Sequence, residues 1–159
     1  MKLYVVRHAH AGSRRAWEGD DEVRPLSDRG RAQADYLAGL LADQPVGAVW
    51  SSPAVRCTET VAVIAAAAGL EVVIEPFLGE GRDAGKAALR LVEAVGELNA
   101  DVVACSHGDL IPRAIGLLAS DGMRIEGSES PAMCKKGSMW AVDIDGGRAV
   151  RARYVSPGA

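Results

Sequence analysis

The sequence predicts an α/β fold, a three-layer sandwich with a mostly parallel central sheet and a C-terminal antiparallel hairpin at the sheet edge. Short apolar runs rich in β-branched residues alternate along the chain with segments of helical periodicity. Such alternation is typical of parallel strands that are covered by helices on both faces. Residues 138–144 and 148–155 then resemble two further strands, and Asp145-Gly146-Gly147 between them favours a tight hairpin turn.

The first strand and the first helix are separated by a polar loop. Leu3 to Val6 form a short apolar run, which predicts a buried strand. Residues 9–26 are polar and contain glycine and proline, so we expect a loop there. Ser27 is suited to cap the helix that follows, and Pro45 and Gly47 are expected to end it. The predicted apolar face of this helix is formed by Ala34, Leu37, Leu40 and Leu41.

The second strand and the second helix meet at a serine–proline pair. Residues 47–51 predict the strand. Ser52 followed by Pro53 then predicts a helix start, with the serine as the cap and the proline at the first helical position. Gly69 is expected to end this helix, and Val72 to Ile74 predict a third strand.

The rest of the chain repeats the strand–helix pattern. A loop over residues 79–85 leads into a third helix, and residues 101–105 predict a fourth buried strand. A fourth helix is expected over residues 110–119. Residues 120–137 are mostly polar and contain three glycines, which predicts a long loop. The predicted apolar face of the third helix contains Ala84, Ala88, Leu91, Val95 and Leu98.

Length and charge limit the class of protein. A chain of 159 residues suits a single domain, which we place over residues 1–159. A formal net charge of -3 argues against a nucleic-acid partner, although it is compatible with a basic pocket. No apolar run is long enough to cross a bilayer, so we expect no membrane partner.

The cysteines indicate a reducing compartment. Cys57, Cys105 and Cys134 are widely spaced and odd in number, which is typical neither of a disulfide framework nor of a zinc site. Free thiols fit the cytoplasm. The apolar stretch at the N-terminus is too short for a signal peptide and ends in charged residues. We therefore expect a cytoplasmic protein.

Basic side chains follow three of the predicted parallel strands. Arg7 and His8 come directly after the first strand, Arg56 lies just after the second, and His107 follows the fourth. Ligands of open parallel sheets bind outside the carboxyl ends of the strands, so these four side chains can converge there. The planar fork of arginine matches phosphate oxygens, and the N–H groups of a helix start also suit an anion. The sequence therefore predicts a phosphate-binding site.

Two histidines at such a site allow catalysis as well as binding. A neutral imidazole can attack phosphorus and form a covalent phosphoenzyme, and adjacent arginines should keep His8 neutral by lowering its pKa. The arginines and His107 can stabilise charge on the transferring phosphoryl oxygens. Glu80, in its glycine-rich loop, can supply the proton that a leaving alkoxide needs.

Two other chemistries fit the sequence less well. Ser51 and Ser106 lack the glycine-flanked elbow of serine hydrolases. His8 and His10 could share one face as metal ligands. However, no third ligand follows at a spacing typical of metal sites, and the adjacent Arg7 would repel a cation. We therefore expect no metal site, and we place His10 at the pocket rim or on the surface.

Four segments match known motifs at once. They are Val6-Arg7-His8-Ala9, Arg24-Pro25-Leu26-Ser27-Asp28-Arg29-Gly30, Ser51-Ser52-Pro53 with Arg56-Cys57-Thr58-Glu59-Thr60, and Ser106-His107-Gly108. Together they resemble the motifs of the histidine phosphatase superfamily, which has the phosphoglycerate-mutase-like fold. The resemblance implies that His8 is the phosphorylated nucleophile and that Arg7, Arg56 and His107 form the phosphate pocket. It also implies that Glu80 is the acid and that neither a metal nor an organic cofactor takes part.

The substrate class is less sharply defined. Ala9 stands where the family usually has glycine, and Arg14 stands where many mutase-type members have asparagine. The short chain is most similar to small phosphohistidine phosphatases, whose open pocket admits a protein loop. We therefore expect a phosphorylated protein or a small phosphorylated metabolite as the partner. Arg14 and Arg15, with Trp17, either line the pocket rim or belong to a solvated loop.

Two alternatives to a phosphatase stay open at this stage. A phosphomutase of the same fold would have to retain the intermediate and return the phosphate to its substrate, and the short chain offers little that could close over it. A non-catalytic phosphate-binding module is the other alternative. The presence of every expected reactive residue argues against it.

Overall fold

A mixed sheet runs through the computed structural model, which describes residues 1–158. Within these residues the sheet has seven strands in the order β3-β2-β4-β1-β6-β7-β5. The strands are β1 (Lys2–Arg7), β2 (Val46–Ser51), β3 (Val72–Ile74), β4 (Asp101–Ser106), β5 (Arg124–Ile125), β6 (Met139–Asp145) and β7 (Arg148–Val155). The α-helices are α1 (Asp28–Leu41), α2 (Val55–Ala68), α3 (Ala84–Leu98) and α4 (Ile111–Ser120), and short 3-10 helices span Asp21–Val23 and Pro76–Leu78.

Strand direction confirms the predicted architecture. The pairs β1–β4, β2–β4, β2–β3 and β5–β7 are parallel, whereas β1–β6 and β6–β7 are antiparallel. Gly146 and Gly147 both have positive φ in the β6–β7 turn, a backbone conformation that glycine adopts readily. No helix in residues 1–158 is both long and apolar enough to cross a membrane.

Two apolar layers lie on opposite faces of the sheet. Because side chains alternate along a strand, Leu3 and Val5 of β1 pack in one layer and Tyr4 and Val6 in the other. The first layer includes apolar residues of α3 and α4, and the second includes those of α1 and α2. This arrangement is the predicted three-layer sandwich, and it explains why the central strands are apolar at almost every position.

The outer edge of the sheet differs from the prediction. Residues 120–137 were expected to form a loop, but Arg124–Ile125 within them form β5, which pairs with β7 in parallel. The C-terminal hairpin therefore lies one strand in from the edge. A strand of two residues is too short to produce a periodic pattern, which is why the sequence does not reveal it.

The two predicted serine caps have different outcomes. Ser27 caps α1 as predicted, because its hydroxyl accepts a hydrogen bond of 3.1 Å from the backbone N–H of Gly30. The predicted start of α2 at Ser52-Pro53 is wrong, because that helix begins at Val55 with Ala54 as its N-cap. The Ser52 hydroxyl lies instead 2.8 Å from the imidazole of His107. A buried ring nitrogen is a better-matched partner for this hydroxyl than the helix terminus two residues further on.

Candidate active site

The parallel register of β1 and β4 brings the two histidines together. Arg7 pairs with Ser106, so His8 and His107 leave neighbouring strands at the same level. Their ring centroids are 5.4 Å apart, and both residues are buried. Arg56, the second residue of α2, is only 1% exposed beside them. The structure therefore brings the four predicted phosphate-pocket residues to one sheet edge.

His8 presents one ring nitrogen as a potential nucleophile. Its Nδ1 lies 2.9 Å from the carbonyl oxygen of Ala9, and because a carbonyl only accepts, Nδ1 carries the proton and Nε2 keeps its lone pair. Burial, followed by the charges of His107, Arg56 and Arg7, lowers the pKa of His8 to about 3 against the opposing effect of the Ala9 carbonyl. The imidazole is therefore neutral near pH 7.

The backbone after His8 is held by α2. The N–H of Ala9 donates to the hydroxyl of Thr60 at 2.9 Å, and that hydroxyl donates to the carbonyl of Arg56 at 2.6 Å. Thr60 is fully buried, and the methyl group of Ala9 packs with Ala11, Leu26 and Ala34. One threonine thus ties the segment that carries His8 to the turn that carries Arg56.

Three buried donors at this site have no hydrogen-bond partner within residues 1–158. They are Nε of Arg7, Nε of Arg56 and Nδ1 of His107, which lies 3.3 Å from Oε1 of Glu80 without hydrogen-bond geometry. Unpaired buried donors are costly, and their clustering around His8 is the arrangement that a tetrahedral oxyanion would satisfy. One terminal nitrogen of each guanidinium group is held in place. Nη1 of Arg7 donates to the Cys134 carbonyl at 2.5 Å, and Nη1 of Arg56 donates to the Asp21 carbonyl at 2.9 Å.

Gly108 makes room for the guanidinium of Arg7. A Cβ atom at position 108 would lie 2.7 Å from Cζ and 2.8 Å from Nη2 of Arg7, well inside van der Waals contact. The glycine in the Ser106-His107-Gly108 motif therefore serves the arginine of another strand. Its absent side chain lets the guanidinium lie directly against the turn before α4.

We expect Gly108→Ala to lower kcat/KM by about 10- to 100-fold while the protein stays folded. The clashing atoms belong to the far end of a flexible side chain, so the guanidinium will move and the backbone will not. Steady-state kinetics on a generic phosphate ester, together with thermal melting, measure both effects. Gly116→Ala in α4 is the matched control, since no described atom beyond the adjacent residues and the backbone of its own helix lies within 4 Å of its Cβ position. Equal kinetics for the two variants would contradict the expected displacement.

Glu80 is positioned by the turn that follows β4. The hydroxyl of Ser106 donates to the Leu78 carbonyl at 2.6 Å, and the N–H of Gly81 donates to Oδ2 of Asp109 at 2.8 Å. These bonds place Oε1 of Glu80 at 2.7 Å from Arg56 Nη2 and 3.3 Å from His107 Nδ1. The predicted acid therefore lies against two of the predicted phosphate-binding residues.

The carboxylate of Glu80 is ionised in this arrangement. Burial alone would raise the pKa of Glu80, but the hydrogen bond from Arg56 and the charges of His107, Arg56 and Arg14 together lower it. A carboxylate in this state accepts hydrogen bonds near pH 7 and carries no proton to donate. A negatively charged ligand beside it would raise its pKa.

A polar pocket of about 310 Å³ opens beside these residues. Arg14 joins it from the loop after β1, and its guanidinium contacts Glu80 at 2.8 Å and Asp21 at 3.4 Å. Arg15 is exposed, and neither it nor the buried His8 and Arg56 is among the residues of the described chain that line the pocket. The lining residues are Arg7, Arg14, Glu80, His107, Gly108 and Asp109.

His10 lies away from the phosphate pocket. Its Nδ1 is 2.6 Å from the Ser27 hydroxyl at the start of α1, and its backbone N–H donates to Gln33 at 2.9 Å. The side chain is half-buried. These contacts give His10 a structural place at the N-terminus of the first helix.

Sequence reasoning missed two charged residues near the pocket. Asp21 pairs with Arg56, with 3.3 Å between Oδ2 and Nη2. The second residue is Lys136, which lies next to Gly137, whose N–H donates to the carbonyls of Arg7 and His8. Burial and the charges of Arg7, Arg24, Arg14 and Arg56 lower the pKa of Lys136. In the sequence, only the Lys135-Lys136 pair just before β6 indicates this additional positive charge near the pocket.

Comparison with known proteins identifies a family and a relative that aligns with almost the whole chain. Residues 3–89 match the family model of the histidine phosphatase superfamily (branch 1). An 8-oxo-(d)GTP phosphatase of Mycolicibacterium smegmatis is 35% identical over 158 residues, which is 98% of this chain and 48% of the relative. The chain thus spans about half the length of this curated relative.

Solved structures share the fold at lower sequence identity. The protein histidine phosphatase SixA, in complex with tungstate, has a TM-score of 0.78 at 23% identity, covering 100% of this chain and 97% of SixA. A mycobacterial glucosyl-3-phosphoglycerate phosphatase in complex with VO3 has a TM-score of 0.69 at 18% identity, covering 99% of both chains. These similarities show that the arrangement of strands and helices is that of known phosphatases.

Proposed function

Because this chain belongs to the histidine phosphatase superfamily, we propose that it hydrolyses a phosphomonoester or a protein phosphohistidine through a covalent phospho-His8 intermediate. The observation that carries this proposal is the cluster of three unpartnered donors around the neutral imidazole of His8. Two solved structures of similar fold are complexes with tungstate and with VO3, which supports a phosphate-like oxyanion as the ligand.

The first step transfers the phosphoryl group to His8. Nε2 attacks phosphorus, an N–P bond forms, and the bond from phosphorus to the leaving oxygen or nitrogen breaks with its electron pair on the leaving group. Arg7, Arg56 and His107 donate to the three peripheral oxygens, whose charge is stabilised at the transition state. Because these donors are buried and fixed, little reorganisation is needed as the charge develops.

The second step returns the enzyme to its starting state. A water oxygen attacks phosphorus, the N–P bond breaks, and its electron pair returns to Nε2 of His8. Glu80 serves both steps. A dianionic phosphoryl group in the pocket adds negative charge beside the carboxylate, which raises the Glu80 pKa, so that Glu80 takes up a proton from solvent and donates it to the leaving group. The resulting carboxylate then accepts a proton from the attacking water and releases it to solvent when phosphate leaves, which restores the ionised state.

We expect Glu80→Gln to lower kcat/KM, which reports the step that forms the phosphoenzyme, by about 100-fold for an alkyl phosphate and by less than about 10-fold for p-nitrophenyl phosphate. An alkoxide needs a proton to leave, whereas p-nitrophenolate is stable without one. The amide keeps the size of the side chain, so that binding changes little. A stopped assay on the two esters gives the ratio, and an equal loss on both would remove the proton-donor role from Glu80.

Trapping the phosphoenzyme tests the proposed function directly. Radiolabelled p-nitrophenyl phosphate is mixed rapidly with the protein and quenched in alkali, which preserves phosphohistidine. Peptide mapping is expected to place the label on His8, with a burst of p-nitrophenol equal to the amount of enzyme. Label on serine, or phosphate release without any labelled protein, would contradict the proposal.

We infer a second candidate substrate class, the nucleoside phosphates. The relative that is 35% identical to this chain is an 8-oxo-(d)GTP phosphatase. Lys136 directly precedes Gly137, whose N–H donates to the carbonyls of Arg7 and His8, and a positive charge there suits a substrate with more than one phosphate. A panel of a phosphohistidine protein, nucleoside mono-, di- and triphosphates and a sugar phosphate separates the classes by kcat/KM. A preference for phosphohistidine protein over every nucleotide would reject this second candidate.

A further inference from the structure

Ser52 makes a contact that its place in the sequence does not suggest. The residue is fully buried between β2 and α2, and its Oγ lies 2.8 Å from Nε2 of His107. The same oxygen accepts a longer hydrogen bond of 3.3 Å from the N–H of Ala54. Its proton is therefore free to be donated, and the nearest acceptor is the ring of His107.

The opposite edge of the ring defines which nitrogen carries a proton. Nδ1 of His107 is 3.3 Å from Oε1 of Glu80, an ionised carboxylate that can only accept. Two acceptors facing each other at this distance would repel, so Nδ1 carries the proton. When the ring is neutral, Nε2 is then the acceptor, and the Ser52 hydroxyl donates to it. The Sγ of Cys57 also lies near Nε2, but at 3.5 Å.

We propose that Ser52 is a positioning residue whose hydroxyl donates to Nε2 of His107 and thereby fixes the tautomer that directs Nδ1–H into the phosphate pocket. The other tautomer would turn a lone pair toward Glu80 and toward any phosphoryl oxygen. The hydrogen bond also fixes the plane of the ring, because it joins His107 to the connection between β2 and α2. The consequence for catalysis rests on the proposed phosphatase function, whereas the tautomer itself does not.

The tautomer is measured by NMR on protein labelled with nitrogen-15 in histidine. Long-range proton–nitrogen correlations distinguish a protonated ring nitrogen from an unprotonated one. In the wild-type protein we expect a protonated Nδ1 and an unprotonated Nε2 for His107. In Ser52→Ala we expect the Nε2 signal to shift and the two tautomers to mix. A wild-type ring protonated on Nε2, whether as the other tautomer or as an imidazolium, would overturn the proposal.

The kinetic test uses a neighbouring serine as its matched control. Ser52→Ala is expected to lower kcat by about 10- to 100-fold with a smaller change in KM, and Ser52→Thr to restore most of the loss because it keeps the hydroxyl. Ser51 is equally buried, but its hydroxyl donates to the carbonyl of Ser52 at 2.8 Å, so Ser51→Ala should retain wild-type kcat. An equal loss of kcat in Ser52→Ala and Ser51→Ala would show that Ser52 acts only through packing, and it would reject the proposal.

The two measurements separate this inference from the proposed function. If the wild-type tautomer is as expected but no phosphoenzyme forms, the proposed function fails and the role of Ser52 in fixing the ring stands. If phospho-His8 forms but Nε2 of His107 is protonated, the proposed function stands and this inference fails. Should Ser52→Ala not fold, the wild-type spectrum and the Ser52→Thr variant still decide the question.

Discussion

Replacing His8 by asparagine is expected to lower kcat for phosphate release by at least about 10⁴-fold. The amide cannot form the N–P bond, and no covalent intermediate can replace it at this position. Arg7, Arg56 and His107 remain, so binding of phosphate or tungstate measured by calorimetry should change by less than about 10-fold. Loss of turnover together with retained anion binding is the result that assigns the nucleophile to His8.

The matched control is His10→Asn. His10 lies two residues further along the same segment, but its ring contacts the Ser27 hydroxyl at the start of α1. We expect this variant to retain kcat within about 3-fold, since its side chain does not contact the pocket. A His8→Asn protein that releases phosphate at the wild-type rate would reject the mechanism.

The pH dependence gives a second readout for His8. The pKa of His8 is lowered to about 3, so its imidazole is neutral at every pH well above that value. Titration of His8 should therefore contribute no change in wild-type kcat/KM between about pH 5 and about pH 8, which a pH–rate profile measures. An acid limb of the rate profile within that range must come from another group.

The convergence of the phosphate-pocket residues could be predicted because topology alone determines it. A basic residue after a parallel strand lies at the carboxyl edge of the sheet, wherever else the chain goes. The parallel pairing of Arg7 with Ser106 then brings His8 and His107 to neighbouring positions. Nothing about loop conformation was needed for this part of the prediction.

The position of Glu80 depends on contacts that sequence patterns do not show. Its loop is held by the Ser106 hydroxyl and by the Asp109 carboxylate, two side chains that follow a different strand. The state of its carboxylate depends in turn on Arg56 and Arg14. A prediction from one sequence can name the residue, but the pKa follows from neighbours that only the folded chain assembles.

Ser52 shows how a local rule can be overridden. Serine before proline is a good helix start by local propensity, yet the helix begins later and the hydroxyl binds the imidazole of His107.

The apolar periodicity of a helix also fails as a guide to burial at helix ends. Leu40 and Leu98 continue the predicted apolar faces of α1 and α3 but are 40% and 48% exposed in the last turn. His107 overrides the local preference of Ser52, and Leu40 and Leu98 stay exposed because no neighbouring element covers them.

A second large effect is expected at Gly30, where α1 approaches the backbone of the segment that follows His8. A Cβ atom at this position would overlap the carbonyl oxygen of His10. That oxygen already accepts hydrogen bonds from the N–H of Ser27 at 3.0 Å and from its hydroxyl at 3.1 Å. The close approach is therefore built into the cap of the helix, and neither partner is a flexible side chain that could move aside.

We expect Gly30→Ala to lower the free energy of unfolding by about 3 kcal/mol and Tm by about 10 °C. Gly39→Ala in the same helix is the matched control, because no described atom beyond the adjacent residues and the backbone of that helix lies within 4 Å of its Cβ position. Alanine should be favoured there by about 0.5–1 kcal/mol, since it has the higher helix propensity. Urea unfolding of both variants measures the difference. If Gly30→Ala were as stable as Gly39→Ala, helix propensity would outweigh the overlap, and the contact between α1 and His10 could not be as tight as the structure has it.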